Sequence, residues 1–80
     1  MADSISKHFG AVLRVLRTEA GLTQEALAEL AGIHPTYIGL VERGVRNCSL
    51  DIADQIAKGR GAPLSEMLAQ AELKTKGGRR

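Results

Sequence analysis

Tryptophan is missing from this 80-residue chain, and phenylalanine and tyrosine occur once each, as Phe9 and Tyr37. Any core must therefore be aliphatic, assembled from Leu, Ile, Val and Ala, and at this length only one modest core can form. The single cysteine, Cys48, excludes an internal disulfide and fits a reducing compartment. No run approaches the ~20 apolar residues of a membrane span. The start, MADSISKHF, has no basic region followed by an apolar stretch, so no leader is expected, and the protein is expected to be cytoplasmic with no membrane association. Strand patterning and glycine-rich phosphate loops are absent as well. His8 and His34 have no second ligand at metal spacing, Cys48 has no catalytic partner, and Asp51 and Asp54 read as solvated helix carboxylates. No metal, cofactor or enzymatic activity is expected.

Excess charge is also scarce. Eleven basic residues against nine acidic ones give +2, yet Lys74, Lys76, Arg79 and Arg80 supply four of the positive charges from the last seven residues. Without them seven basic residues face nine acidic ones, a net of −2. Attraction to a polyanion must therefore come from where charges lie, with Arg43 and Arg46 clustered and Asp51, Asp54, Glu66 and Glu72 in later segments.

Helical periodicity fills the chain. Ser4 or Ser6 can cap a first helix running to Ala20, with Ile5, Phe9, Val12, Leu13, Leu16 and Ala20 as its apolar face and Gly21 as its end. A fourth helix spans about Ser49 to Gly59, capped by Ser49, with Ile52 and Ile56 on one face. A fifth starts near Pro63, carries Leu64, Met67, Leu68 and Ala71, and ends at Glu72 and Leu73. Residues 1–73 form one domain, and the tail KTKGGRR, residues 74–80, reads as flexible.

Between these lies the most informative stretch, TQEALAELAGIHPTYIGLVE, from Thr23 to Glu42. Thr23 can cap a helix that begins at Gln24, and Glu25 suits its first turn. Leu27, Ala28 and Ala31 recur at helical spacing, and the small Ala28 permits a close helix crossing. Gly32 can turn the chain through positive φ, and Ile33 returns to the core. His34 and Pro35 mark a new start, since proline is favoured at the first helical position. The second helix runs from Pro35 to Arg43 with Ile38 and Val41 inward. Two short helices joined by a tight glycine turn form a helix-turn-helix, whose second member can enter a major groove about 12 Å wide.

With Ile38 and Val41 inward, the expected reading face is Pro35, Thr36, Tyr37, Gly39, Leu40 and Arg43. Thr36, in the first turn, offers a hydroxyl and a methyl to base edges, and Leu40 offers contact to a thymine methyl. The phenol of Tyr37, with Arg43, Arg46 and Asn47, is expected along flanking phosphates, and Gln24 adds its amide and the free N–H groups of a helix start.

The stretches VLRVLRTEAGLTQEALAELAGI and TYIGLVERGVRNCSLDIADQIAKG resemble the Xre, or phage-repressor and Cro-like, family of helix-turn-helix regulators. The second is similar to the controller proteins of restriction–modification systems, where TYI, ERG and RN segments recur. The resemblance implies an all-α, five-helix lambda-repressor-like DNA-binding domain. It implies a homodimer on a near-palindromic operator in double-stranded DNA, RNA polymerase as a further contact, and autoregulation of a restriction–modification operon. The alternative is an antitoxin or other protein-binding adaptor on the same fold. It also implies an ion pair between Arg17 and Glu42, and dimerisation through the C-terminal region. Relatives often carry a long polar or basic residue where Pro35 stands and a serine where Gly39 stands, which thins the expected hydrogen bonding of the reading face. Arg60 replaces a leucine; snorkelling over the core, capping of carbonyls or pairing across a dimer are open to it.

Overall fold

A computed structural model describes residues 5–76 and contains five α-helices: α1 (Ile5–Glu19), α2 (Gln24–Ala31), α3 (Pro35–Glu42), α4 (Leu50–Arg60) and α5 (Leu64–Lys76). No helix among the described residues is long and apolar enough to cross a membrane. α1 packs chiefly on α5 and also on α3, while α2 packs on α4 and α3. α3 is thereby held by both α1 and α2. Between them lies a core, aliphatic but for Phe9 and Met67, that includes Phe9, Val12, Leu13, Leu27, Ile38, Ile56 and Met67.

Local chemistry sets the ends of the helix-turn-helix. Thr23 Oγ1 accepts the Ala26 N–H at 2.9 Å, which satisfies one of the free donors of α2. Gly32 takes φ 75°, ψ 31°, and Ile33 N–H donates back to the Ala28 carbonyl at 3.0 Å. A side chain at that φ would be strained, so the glycine fixes the sharp turn. His34 caps α3 through Nδ1, which accepts the Thr36 N–H at 3.1 Å, and Pro35 occupies the first turn.

Several boundaries differ from the sequence reading. Ser4 lies outside the described residues, and Ser6 sits inside α1 rather than capping it. Ile5, the first residue of α1, and Ala20, one residue past its end, are exposed. α4 does not stop at Gly59. It continues to Arg60 and closes at Gly61, with φ 86°. Gly59 serves a different purpose: a Cβ there would lie 2.9 Å from Ala31 N and 3.0 Å from Ala31 Cα, so its absence lets α4 cross the end of α2. α5 extends three residues past Leu73, taking in Lys74, Thr75 and Lys76, and the rest of the basic tail lies outside the described residues. Lys, Thr and Lys do not break a helix, and no glycine intervenes before Gly77.

Arg60, the unexpected cation near the core, donates its Nε–H to the Leu16 carbonyl at 2.9 Å. It therefore ties the end of α4 to the last turn of α1, a carbonyl-rich helix end that favours a positive charge.

Candidate nucleic-acid interface

The candidate surface is assembled from the start of α2, the length of α3 and the loop after it. At its back stands Glu42, the last residue of α3, whose side chain is 2% exposed. Arg17 of α1 meets it in a two-pronged pair, with Nε to Oε2 at 2.5 Å and Nη2 to Oε1 at 3.0 Å. Arg17 Nη1 donates to the Leu22 carbonyl at 2.8 Å, so the guanidinium also pins the α1–α2 turn. Gln24 Nε2 donates to Glu42 Oε1 at 3.1 Å. One carboxylate thus joins the starts and ends of three helices, and accepting these N–H groups compensates its burial. The Glu42 hydrogen bond raises the pKa of Arg17 against a smaller opposing effect of burial, so this cation stays charged at every working pH.

The network changes the expected role of Gln24. One N–H of its side-chain amide is given to Glu42, which leaves the other and the uncapped first-turn backbone N–H groups of α2 for an anion.

Gly39 is not on the reading face. It is buried, and a Cβ built on it would lie 3.3 Å from Gln24 Oε1 and 3.5 Å from Arg43 Nη1. These two side chains lie over the bare backbone of α3, which is why the position is covered although it does not point into the core. Its contribution is room rather than contact.

Tyr37 also departs from expectation. The ring is half-buried against the core and its hydroxyl donates to the Asn47 carbonyl at 3.3 Å. The Arg46 guanidinium lies 5.5 Å from the ring centroid, within cation–π range. Residue type alone predicts a phosphate-binding phenol; the hydroxyl is instead engaged with the backbone of the following loop, because the chain folds back after Gly44 and brings Asn47 to it. Tyr37 therefore shapes the segment that presents Arg46 and Asn47, both of which are exposed.

Thr36 and Arg43 are exposed and Pro35 and Leu40 are half-buried, so the outward surface of α3 is small. Sequence reasoning missed Arg14, which lines a polar recess together with Arg17, Gln24, Glu42 and Arg43. Its i,i+3 spacing from Arg17 on α1 was the available signal.

The protein belongs to the helix-turn-helix domain family, whose model matches residues 8–70. Among curated relatives, control protein C.BamHI of Bacillus amyloliquefaciens is 38% identical over 69 residues, 85% of each chain. Among solved structures, the restriction-modification controller protein C.AhdI of Aeromonas hydrophila is 44% identical, with a TM-score of 0.74 over 76% of this chain and 92% of that one. The controller C.Esp1396I, solved as a tetramer with its natural 35 base-pair operator, is 31% identical with a TM-score of 0.79, covering 89% and 97% of the two chains.

Proposed function

We propose that this protein is a sequence-specific regulator of transcription that binds double-stranded DNA as a homodimer on a near-palindromic operator, in the cytoplasm, and controls its own restriction–modification operon. The observation that carries this reading is the surface itself. A capped, proline-initiated α3 is braced from behind by the Arg17–Glu42–Gln24 network, with Thr36 at its exposed N-terminal turn and Arg43, Arg46 and Asn47 at its far end. That layout offers base contact at one end and phosphate contact at the other. The similarity to control proteins, one of them solved on its operator, supports the same assignment.

The thin base-reading surface favours two half-sites, because each copy brings few contacts. An isologous dimer would place two α3 helices about 34 Å apart, one turn of DNA. RNA polymerase is a further partner on this reading, since a bound regulator beside a promoter shares its DNA face.

Selection of bound duplexes from random DNA tests the proposal. The expected result is a symmetric motif with fixed half-site spacing, bound with steep salt dependence. Arg46→Ala should weaken binding about equally on all sequences and make the salt slope shallower by about 1 for each half-site. A flat, sequence-independent pool would overturn specific regulation.

A further inference from the structure

α1 lies outside the helix-turn-helix, yet it contributes Arg14 and Arg17 to a recess of about 320 Å³ whose other walls are Gln24, Glu42 and Arg43. Three guanidiniums face one carboxylate there. That carboxylate is already consumed, because Glu42 accepts from both Arg17 and Gln24. The charge of Arg17 is matched in turn by Glu42, and a further N–H of its guanidinium goes to the Leu22 carbonyl. The charges left over belong to Arg14 and Arg43, both exposed and neither paired with a carboxylate among the described residues. Two cations converging on a recess with no free counter-charge form a seat for an anion with several acceptor oxygens. Arg14 and Arg17 stand i,i+3 on one side of α1, so both reach the recess from the same helix face. Arg43 comes from the opposite wall, over the bare backbone of Gly39, beside the unspent N–H groups of the α2 start.

We infer that Arg14 and Arg43 grip a backbone phosphate of the bound duplex above the Arg17–Glu42 pair, extending the DNA footprint from the helix-turn-helix onto α1. The inference rests on the DNA-binding reading above and adds to it a contact made from α1. Arg14 fixes where the duplex lies and carries no sequence information.

The test uses a duplex of about 30 base pairs carrying the sequence selected from random DNA, spanning both half-sites, and a mixed-sequence duplex of equal length. Arg14→Gln should leave Tm unchanged and raise Kd about tenfold on both duplexes. Its salt slope should be shallower by about 0.9 for each half-site. Arg14→Lys should keep the slope, since it keeps the charge, while losing part of the affinity with the guanidinium fork. Replacing single phosphates by neutral methylphosphonates should reveal one position per half-site that weakens the parent protein but costs Arg14→Gln nothing further. Unchanged Kd and slope in Arg14→Gln would overturn the contact while salt-dependent binding by the parent left the DNA reading standing. A loss confined to the selected sequence would also overturn it, by pointing to base readout. So would a recess that inorganic phosphate stabilises while every methylphosphonate is silent, which would mark a free-anion site. A parent protein that bound neither duplex would overturn the DNA reading and this contact together.

Discussion

Removing Arg17 probes the node on which the whole surface depends. Glu42 is 2% exposed at its side chain and takes two of its hydrogen bonds from Arg17, whose own side chain is 12% exposed. Arg17→Met keeps the apolar stem but leaves the carboxylate with Gln24 as its remaining side-chain donor among the described residues. Stranding one charge of a nearly buried pair costs about 3–5 kcal/mol. A domain of this size has about 4–12 kcal/mol of stability in all. A quarter or more of the stability should therefore go, with Tm falling by at least about 12 °C at fixed protein concentration. The double replacement Arg17→Met/Glu42→Leu removes the stranded charge as well, and should recover most of the loss. Urea denaturation followed by helix circular dichroism, run on the parent, both single variants and the double, gives the coupling between the two sites, expected at about 2 kcal/mol or more. Because the pair is nearly enclosed, ~1 M salt should reduce that coupling only slightly. A cost below about 1 kcal/mol for Arg17→Met, or a double variant no more stable than it, would refute the claim that a buried charge is being held.

Other perturbations separate packing from recognition. Gly10→Ala would place a Cβ 2.0 Å from the Val41 carbonyl oxygen and 3.0 Å from that of Glu42, so α1 must leave α3. A destabilisation of about 3 kcal/mol is expected in the same urea assay, and parent-like stability would disprove the close approach. Gly39→Ala meets only the ends of Gln24 and Arg43, which can swing aside. Stability should change by less than about 1 kcal/mol, with helix propensity favouring alanine, while DNA affinity drops several-fold as those two side chains are re-aimed; unchanged affinity would show that the gap has no role. Burial pushes the Cys48 thiol up, against a smaller lowering by a backbone hydrogen bond. Its folded pKa exceeds the unfolded one, so the stability it contributes is complete below the ordinary thiol range and is lost as pH rises through the raised value. At pH about 8.5, iodoacetamide should label the native protein more slowly than the urea-unfolded chain, and equal rates would contradict the shift.

The helix-turn-helix is legible in the sequence because each of its boundaries is set by one residue with a local job. Thr23 caps, Gly32 turns, and Pro35 starts α3, and none of these needs a distant partner. The inward positions Leu27, Ala28, Ile38 and Val41 follow from a period of 3.6 and are buried as that period requires. Periodicity misleads where it divides a helix into only an inside and an outside. Gly39 lies off the core stripe, yet it is covered by two side chains arriving from α2 and from the end of α3 itself. Gly59 reads as a stop because glycine weakens an isolated helix; here it is the place where α4 must pass the backbone of Ala31. The Tyr37 hydroxyl, free as far as residue type can say, is bound to Asn47, ten residues later.

By itself, then, the sequence determined the succession of helices, the turn between α2 and α3 and the aliphatic core. These depend on capping, φ preference and periodicity, which act within a few residues. Only the tertiary structure decided which polar groups remain available to DNA. Arg17, Gln24 and Tyr37 give donors to partners 5 to 25 residues away, while the Arg14 and Arg43 side chains have no carboxylate partner among the described residues. Hydrogen-bonding capacity is finite, and which donors are spent is settled by the packing of α1, α2 and α3 against one another rather than by residue type.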